Sequence, residues 1–179
     1  RGLVYGPGDE ADYLRAYARR YDTVEVDQWF WSLHGPGKIS LPRPETVAEY
    51  GASVPENFRF SVKIPNSITL THFYRKRPDE PLLPNDSFLS LELWSRFLDR
   101  LAPLGDRLGL LMLQFEYLNR QKMVSQNRFM EQLGEFLVQC GRPAPLAVEI
   151  RNPNYLNRPF FEFLKQVRVS PVFLQGYYM

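Results

Sequence analysis

The chain has 179 residues, 44% of them hydrophobic and 15% aromatic, which is ample for one packed domain. Its net charge of +2 makes neither nucleic acid nor an anionic membrane an obligatory partner. No run approaches the ~18 apolar residues of a membrane span, and the single cysteine, Cys140, excludes an internal disulfide and suits a reducing, cytoplasmic setting as a buried, inert thiol.

RGLVYG (1–6) reads as a first strand, broken by the Gly-Pro-Gly at 6–8. Asp9 is placed to cap a helix that carries Leu14, Tyr17, Ala18 and Tyr21 on one stripe. TVEVDQWFW (23–31) holds the second strand, and SLHGPGKISLP follows it as a loop of turn formers. Pro44 sits in the first turn of a short helix ending near Gly51. FRFSVKIP (58–65) is the third strand. Residues 66–89 then carry Pro78, Pro81 and Pro84 and the basic run Arg75-Lys76-Arg77, which predicts a long loop, the least ordered stretch of the chain. Leu91, Trp94, Phe97, Leu98 and Leu101 mark an amphipathic helix. LGLLMLQFE (108–116) is the fourth strand, and Ser125 caps a helix bearing Phe129, Leu133, Phe136 and Leu137. PLAVEIRNPNY (145–155) contains the fifth strand, and Asn157 caps a helix with Pro159 in its first turn and Phe160, Phe163 and Leu164 inside. VSPVFLQG (169–176) reads as a sixth strand.

Strand and helix therefore alternate five times and end on a lone strand. The pattern predicts a TIM-type (β/α)8 barrel, incomplete in this chain, with parallel strands near 2–6, 22–28, 58–64, 109–115, 146–150 and 171–174. A complete barrel typically takes ~250 residues. With no composition break, residues 1–179 read as one domain whose C-terminal part lies beyond Met179, and Arg1 in place of Met leaves room for an upstream start. The competing fold is an open, doubly wound sheet, disfavoured because no Gly-rich phosphate fingerprint follows the first strand.

The segments YDTVEVDQWFW, PETVAEY, PENFRFSVKIP with Thr71-His72, FLDRLAPLGDRLGLLMLQF and AVEIRNPNY, in that order, resemble the YecE-like family, domain of unknown function 72. The resemblance covers nearly the whole chain. It implies a TIM-type barrel and a chain that continues past Met179, and it brings no agreed activity. One departure is the opening segment GLVYGPGDEADYL, which lacks the Trp of the family's first loop.

Residues two apart on a strand share a face, and in each apolar run one face ends in polar groups. Glu25 goes with Asp27, Ser61 with Lys63, Met112 with Gln114 and Glu116, and Glu149 with Arg151. The sequence therefore predicts that Glu25, Lys63, Gln114, Glu149 and Arg151 converge in the barrel mouth, at the carboxyl ends of the strands where barrel sites lie. Two carboxylates in one cleft serve as acid and base when their surroundings push their pKa values apart. Glu25, Glu149 and His72 are the candidate catalytic residues, with Glu25 or Glu149 as base and His72 as partner acid. Lys63, Arg151, Gln114, Asp27 and Trp29 are the candidate substrate-binding residues, with Lys63 and Arg151 holding an anion. The competing reading is a structural ion-pair network. His34 is the weaker histidine, since Thr71 precedes only His72. No cofactor is required, although Glu25, Asp27 and Glu149 offer oxygen ligands for Mg²⁺ or Mn²⁺. Aromatic and cationic residues alternate after the strands: Trp29, Phe30 and Trp31; Phe73, Tyr74, Arg75, Lys76 and Arg77; Tyr117, Asn119, Arg120 and Lys122. Such loops suit stacking of a base or sugar beside a phosphate.

The leading expectation is an enzyme, a hydrolase or lyase, that acts on a small phosphorylated or carboxylated substrate by acid/base chemistry. One alternative is a nucleic-acid-processing or nucleic-acid-binding barrel, by fold analogy to metal-dependent endonucleases. The other is a non-catalytic ligand-binding protein. No membrane partner is expected, and the sequence leaves the oligomeric state open.

Overall fold

The computed structural model describes Tyr5, residues 12–75, Arg77 and residues 79–174. The expected first strand and the Asp9 cap lie outside these, Tyr5 apart. Helix α1 (Tyr13–Ala18) is capped instead by Asp12, whose carboxylate accepts the Arg15 amide at 2.9 Å. Strand β1 (Thr23–Val26) leads to a two-stranded antiparallel hairpin, β2 (Leu33–Gly35) and β3 (Lys38–Ile39), then to helix α2 (Pro44–Ala52). Strand β4 (Arg59–Lys63) follows, and then a short buried helix, α3 (Asn66–Thr69). Helix α4 (Leu91–Leu101) runs through a 3-10 segment into strand β5 (Leu108–Phe115). Helix α5 (Gln126–Gln139), strand β6 (Leu146–Ile150), helix α6 (Arg158–Gln166) and strand β7 (Ser170–Val172) complete the order. Ser125 and Asn157 cap α5 and α6 through their side chains, as their positions predict.

The hairpin was not legible as strands. Its turn needs positive φ, supplied by Gly35 and Gly37 on either side of Pro36, and its strands are too short for an alternating pattern to show. The expectation of an unstructured 66–89 also fails at both ends. The segment opens with α3 and closes with Asn85, which is buried and donates to the carbonyls of Ser67 and Leu70 at 2.8 and 2.7 Å. His72 and Pro84 form an antiparallel bridge between those ends.

Strands β1, β4, β5, β6 and β7 form one parallel sheet in that order. The order is sequential, with no reversal and so no topological switch point, which removes the doubly wound alternative among the described residues. Parallel crossovers share one hand, so strands added in sequence place their helices on one side. The core agrees. Val26, Val62, Leu111, Leu113, Val148 and Ile150 share a single buried cluster with Val47 of α2, Phe97 of α4, Phe129 of α5 and Phe160 of α6. Large rings dominate it, and truncating any one to Ala removes about 3–5 kcal/mol. Trp94, within that core, donates its indole N–H to the Gly141 carbonyl at 3.1 Å. Cys140 is buried at the end of α5, and burial pushes its thiol pKa up.

The other face of the sheet carries Glu25, Ser61, Lys63, Leu110, Met112, Gln114, Ala147 and Glu149, set in adjacent rows by the register. One irregularity makes those rows possible. Phe60 pairs with Leu108 but Ser61 pairs with Leu110, so Gly109 is an extra residue. A Cβ on Gly109 would sit 2.9 Å from the Cβ of Arg59, which is why glycine occupies the bulge.

The hairpin is held to α3 by a buried polar knot. Asn66 Oδ1 accepts the amides of Ser32 and Leu33, both at 2.9 Å, and the Ser32 hydroxyl at 3.2 Å. The Ser32 hydroxyl also bonds that of Ser67 at 2.7 Å, and the Asn66 amide donates to the Phe30 carbonyl at 2.7 Å. Replacing Asn66 with Ala strands these donors in a buried site. The expected cost is about 3 kcal/mol, read as a lower urea midpoint at unchanged m-value, and a loss under about 0.5 kcal/mol would show that the knot is dispensable.

Candidate functional site

Every strand-borne polar residue predicted for the site lies on the face turned away from the helices or continues its alternation, but the set divides in two. On β1 and β4, the Lys63 ammonium is 3.0 Å from Glu25 Oε1 and 2.6 Å from Asp27 Oδ1, with 14% of its side chain exposed. Burial acts to lower the Lys63 pKa, and the two carboxylates outweigh it, so the group stays charged. Lys63 is thus already neutralised by protein partners.

The second group lies at the ends of β5 and β6. Gln114 pairs in register with Glu149. Glu149 is only 2% exposed, and its Oε1 receives the Arg151 Nε at 3.3 Å. Arg151 is half-exposed and engages through Nε alone, so among the described residues its two terminal nitrogens have no protein partner. One residue beyond β5, Glu116 forms an ion pair with Lys122, both mostly buried. The second oxygen of Glu116 and Oε1 of Gln114 are buried without a hydrogen-bond partner. His72 shares a 2.9 Å hydrogen bond between Nδ1 and the Thr71 hydroxyl. Burial lowers the His72 pKa, the Lys122 charge adds to that, and Glu116 opposes it. Burial raises the Tyr74 pKa, with Glu116 adding and Arg151 opposing. His72, Tyr74, Glu116, Lys122 and Arg151 therefore share one electrostatic environment where the loops after β4, β5 and β6 meet.

The remaining predicted residues fall elsewhere. Trp29 is buried in the helix-side core, 5.5 Å from the Tyr50 ring, while Trp31 is 63% exposed and 6.3 Å from Tyr74. His34 lies on the hairpin, with Nε2 2.8 Å from the Ser40 hydroxyl. Glu25, Asp27 and Glu149 do not make an Mg²⁺ or Mn²⁺ site, since two of them hold Lys63 and the third faces Arg151; among the described residues no group of three metal-ligating side chains gathers. Glu116, Lys122, Tyr74 and Trp31 were legible only as alternation or loop content. The available signal was the parity of Glu116 with Gln114, two residues before it.

The His72 environment has a pH signature. Its pKa lies below the ordinary value of 6.5, so its stabilising contribution is present above 6.5 and is lost as the pH falls through the lower folded value. NMR titration of His72, assigned with the help of His34→Gln, should place its midpoint below the ordinary 6.5. A midpoint above 6.5 would contradict the burial and Lys122 contributions.

The comparisons with known proteins agree on family and coarse fold. The chain is similar to a DUF72 family protein of Enterococcus faecalis V583, solved twice. One crystal structure matches with a TM-score of 0.59 at 23% identity, covering 88% of this chain and 52% of that one. The other matches with a TM-score of 0.59 at 22% identity, covering 92% and 59%. The chain thus spans a little over half the length of these structures. No curated protein matches it. A family model described as "Protein of unknown function DUF72" matches residues 1–175, and the chain belongs to that family.

Proposed function

We propose that this chain is the larger part of a (β/α) barrel and that the ends of β4, β5 and β6 bind and turn over a small phosphorylated or carboxylated substrate by acid/base chemistry. Sequential parallel strands with all the core-forming helices on one face support the barrel. The observation that carries the site is Arg151, whose terminal nitrogens have no partner among the described residues and form a fork suited to two oxygens of an anion. Buried Glu149 orients that fork through Nε. Lys122 adds positive potential, balanced by Glu116. His72 with a lowered pKa is neutral near pH 7, which suits a proton acceptor better than the acid expected from sequence. Glu25, Asp27 and Lys63 then form the wall of the mouth. The buried Cys140 thiol suits the cytoplasmic setting expected above.

Thermal-shift and calorimetric titration with inorganic phosphate, phosphorylated metabolites and carboxylates tests the reading. Binding should weaken at least about tenfold in Arg151→Gln, the lower end for losing a charge-assisted pair, in a folded variant whose melting temperature falls because buried Glu149 loses its counter-charge. Unchanged binding in that variant would sink the reading. Glu149→Gln keeps an acceptor for Arg151 and should cost less than about 1 kcal/mol of stability while turnover is lost. A large fall in its melting temperature would assign Glu149 to structure instead.

A further inference from the structure

Glu116 and Arg151 stand side by side. Phe115 pairs in register with Ile150, and each of the two charged residues directly follows one member of that pair. Just beyond them, Asn152 closes on Leu118 twice. Its Oδ1 accepts the Leu118 amide at 2.7 Å, and its Nδ2 donates to the Leu118 carbonyl at 2.9 Å. Both residues are buried. The two segments are thus joined before and after Glu116 and Arg151, at the spacing of about 4.8 Å that neighbouring strands keep. Lys122 reaches Glu116 from a turn in which its own amide donates to the Asn119 carbonyl at 3.0 Å, and Met123 beside it is buried in the core.

The acceptors in this row are not matched by donors. Lys122 takes Glu116 Oε2, while Glu116 Oε1 is buried with no hydrogen-bond partner in the protein. Gln114 Oε1 is in the same condition, two residues back on the same face and in register with Glu149. Leaving a buried acceptor without a donor is costly, and most such atoms in folded proteins are met by water or by a ligand. Here two of them follow one another along β5, about 7 Å apart at the backbone, beside an arginine fork with no partner among the described residues.

We propose that this row receives the hydroxyl groups of the anion held at Arg151, so that the ligand is a small polyhydroxylated anion, a sugar acid or a sugar phosphate. The inference rests on the anion site proposed above and names its substrate class. A hydroxyl suits Glu116 better than an ammonium group, because Lys122 already neutralises the carboxylate and Arg151 stands next to it. The hydroxyl donates to the carboxylate and keeps its lone pairs for the cations. One strand spacing is within the span of a three-carbon chain, so one molecule reaches both Glu116 and Arg151. The Lys122 ammonium, on its flexible stem, turns toward the incoming anion and opens Glu116 to the hydroxyl.

Calorimetric titration of the wild-type protein with matched pairs tests this. The pairs are glycerate against propionate and glycerol 3-phosphate against propyl phosphate. The members of each differ only in hydroxyl groups, and the two pairs separate a sugar acid from a sugar phosphate. In at least one pair the hydroxylated member should bind about tenfold or more tighter, the low end for a hydrogen bond to a charged group. Glu116→Gln keeps an oxygen for Lys122 and presents a neutral amide to the hydroxyl. The advantage should then fall at least about threefold, with binding of the plain anion unchanged. Arg151→Gln should weaken both members. If the hydroxylated member binds no tighter in either pair, or if folded Glu116→Gln keeps the full advantage, the hydroxyl row is overturned and the anion site stands. If none of the four binds, both are overturned.

Discussion

The side-chain amide of Asn66 ties two loops to one short helix. Its oxygen takes three donors from Ser32 and Leu33, its backbone amide reaches Phe30, and through α3 it shares its support with Asn85. None of these polar groups reaches water, so each must be matched inside the protein. A matched network of this kind has one good arrangement and many poor ones. It sets where the hairpin leaves β1 and where the next loop leaves β4. The positions of Trp31, His34, His72 and Tyr74 all follow from it.

The sheet supplies the second half of the geometry. Its helix side is uniformly apolar, and its far side changes along the strands, from Leu110, Met112 and Ala147 toward Gln114, Glu149 and Arg151. Charged groups cluster where the strands end because desolvation is least severe there. Arg151 keeps half its surface in water while Glu149 behind it is enclosed. The pair is therefore polarised outward, with a buried anion behind an accessible cation. On the β1 side the arrangement is reversed, with an enclosed Lys63 behind exposed Glu25 and Asp27. The carboxyl ends of the strands thus have a positive side and a negative side.

Much of this was legible in the sequence where a period could be counted. β4, β5 and β6 follow their apolar runs, and Pro44, Ser125 and Asn157 mark helix starts by side-chain chemistry that operates locally. Parity also put Glu149 and Arg151 together correctly. What was not legible depended on contacts distant in sequence. Asn66 bonds Ser32, 34 residues away, so no local pattern showed that the prolines of 66–89 lie in an anchored loop. Trp29 and Trp31 stand two apart, where strand residues would share a face, yet β1 ends at Val26, so the tight turn beyond it, not the strand period, sends one ring inward and the other out. The division of the polar set into two groups follows from which strands are neighbours, and spacing cannot encode that.

The bulge at Gly109 has a consequence for length changes in this chain. Leu108 packs with the helices, while Leu110, two residues on, pairs with Ser61 on the opposite face. The extra residue acts as slack taken up at the amino end of β5, far from the polar groups at its carboxyl end. Losing that one residue would leave the phase of Met112, Gln114 and Glu116 as it is. Losing any one residue between Leu111 and Phe115 would rotate the positions beyond it half a turn, sending Gln114 or Glu116 against the helices. The strand therefore tolerates a change of length at one end and forbids it at the other.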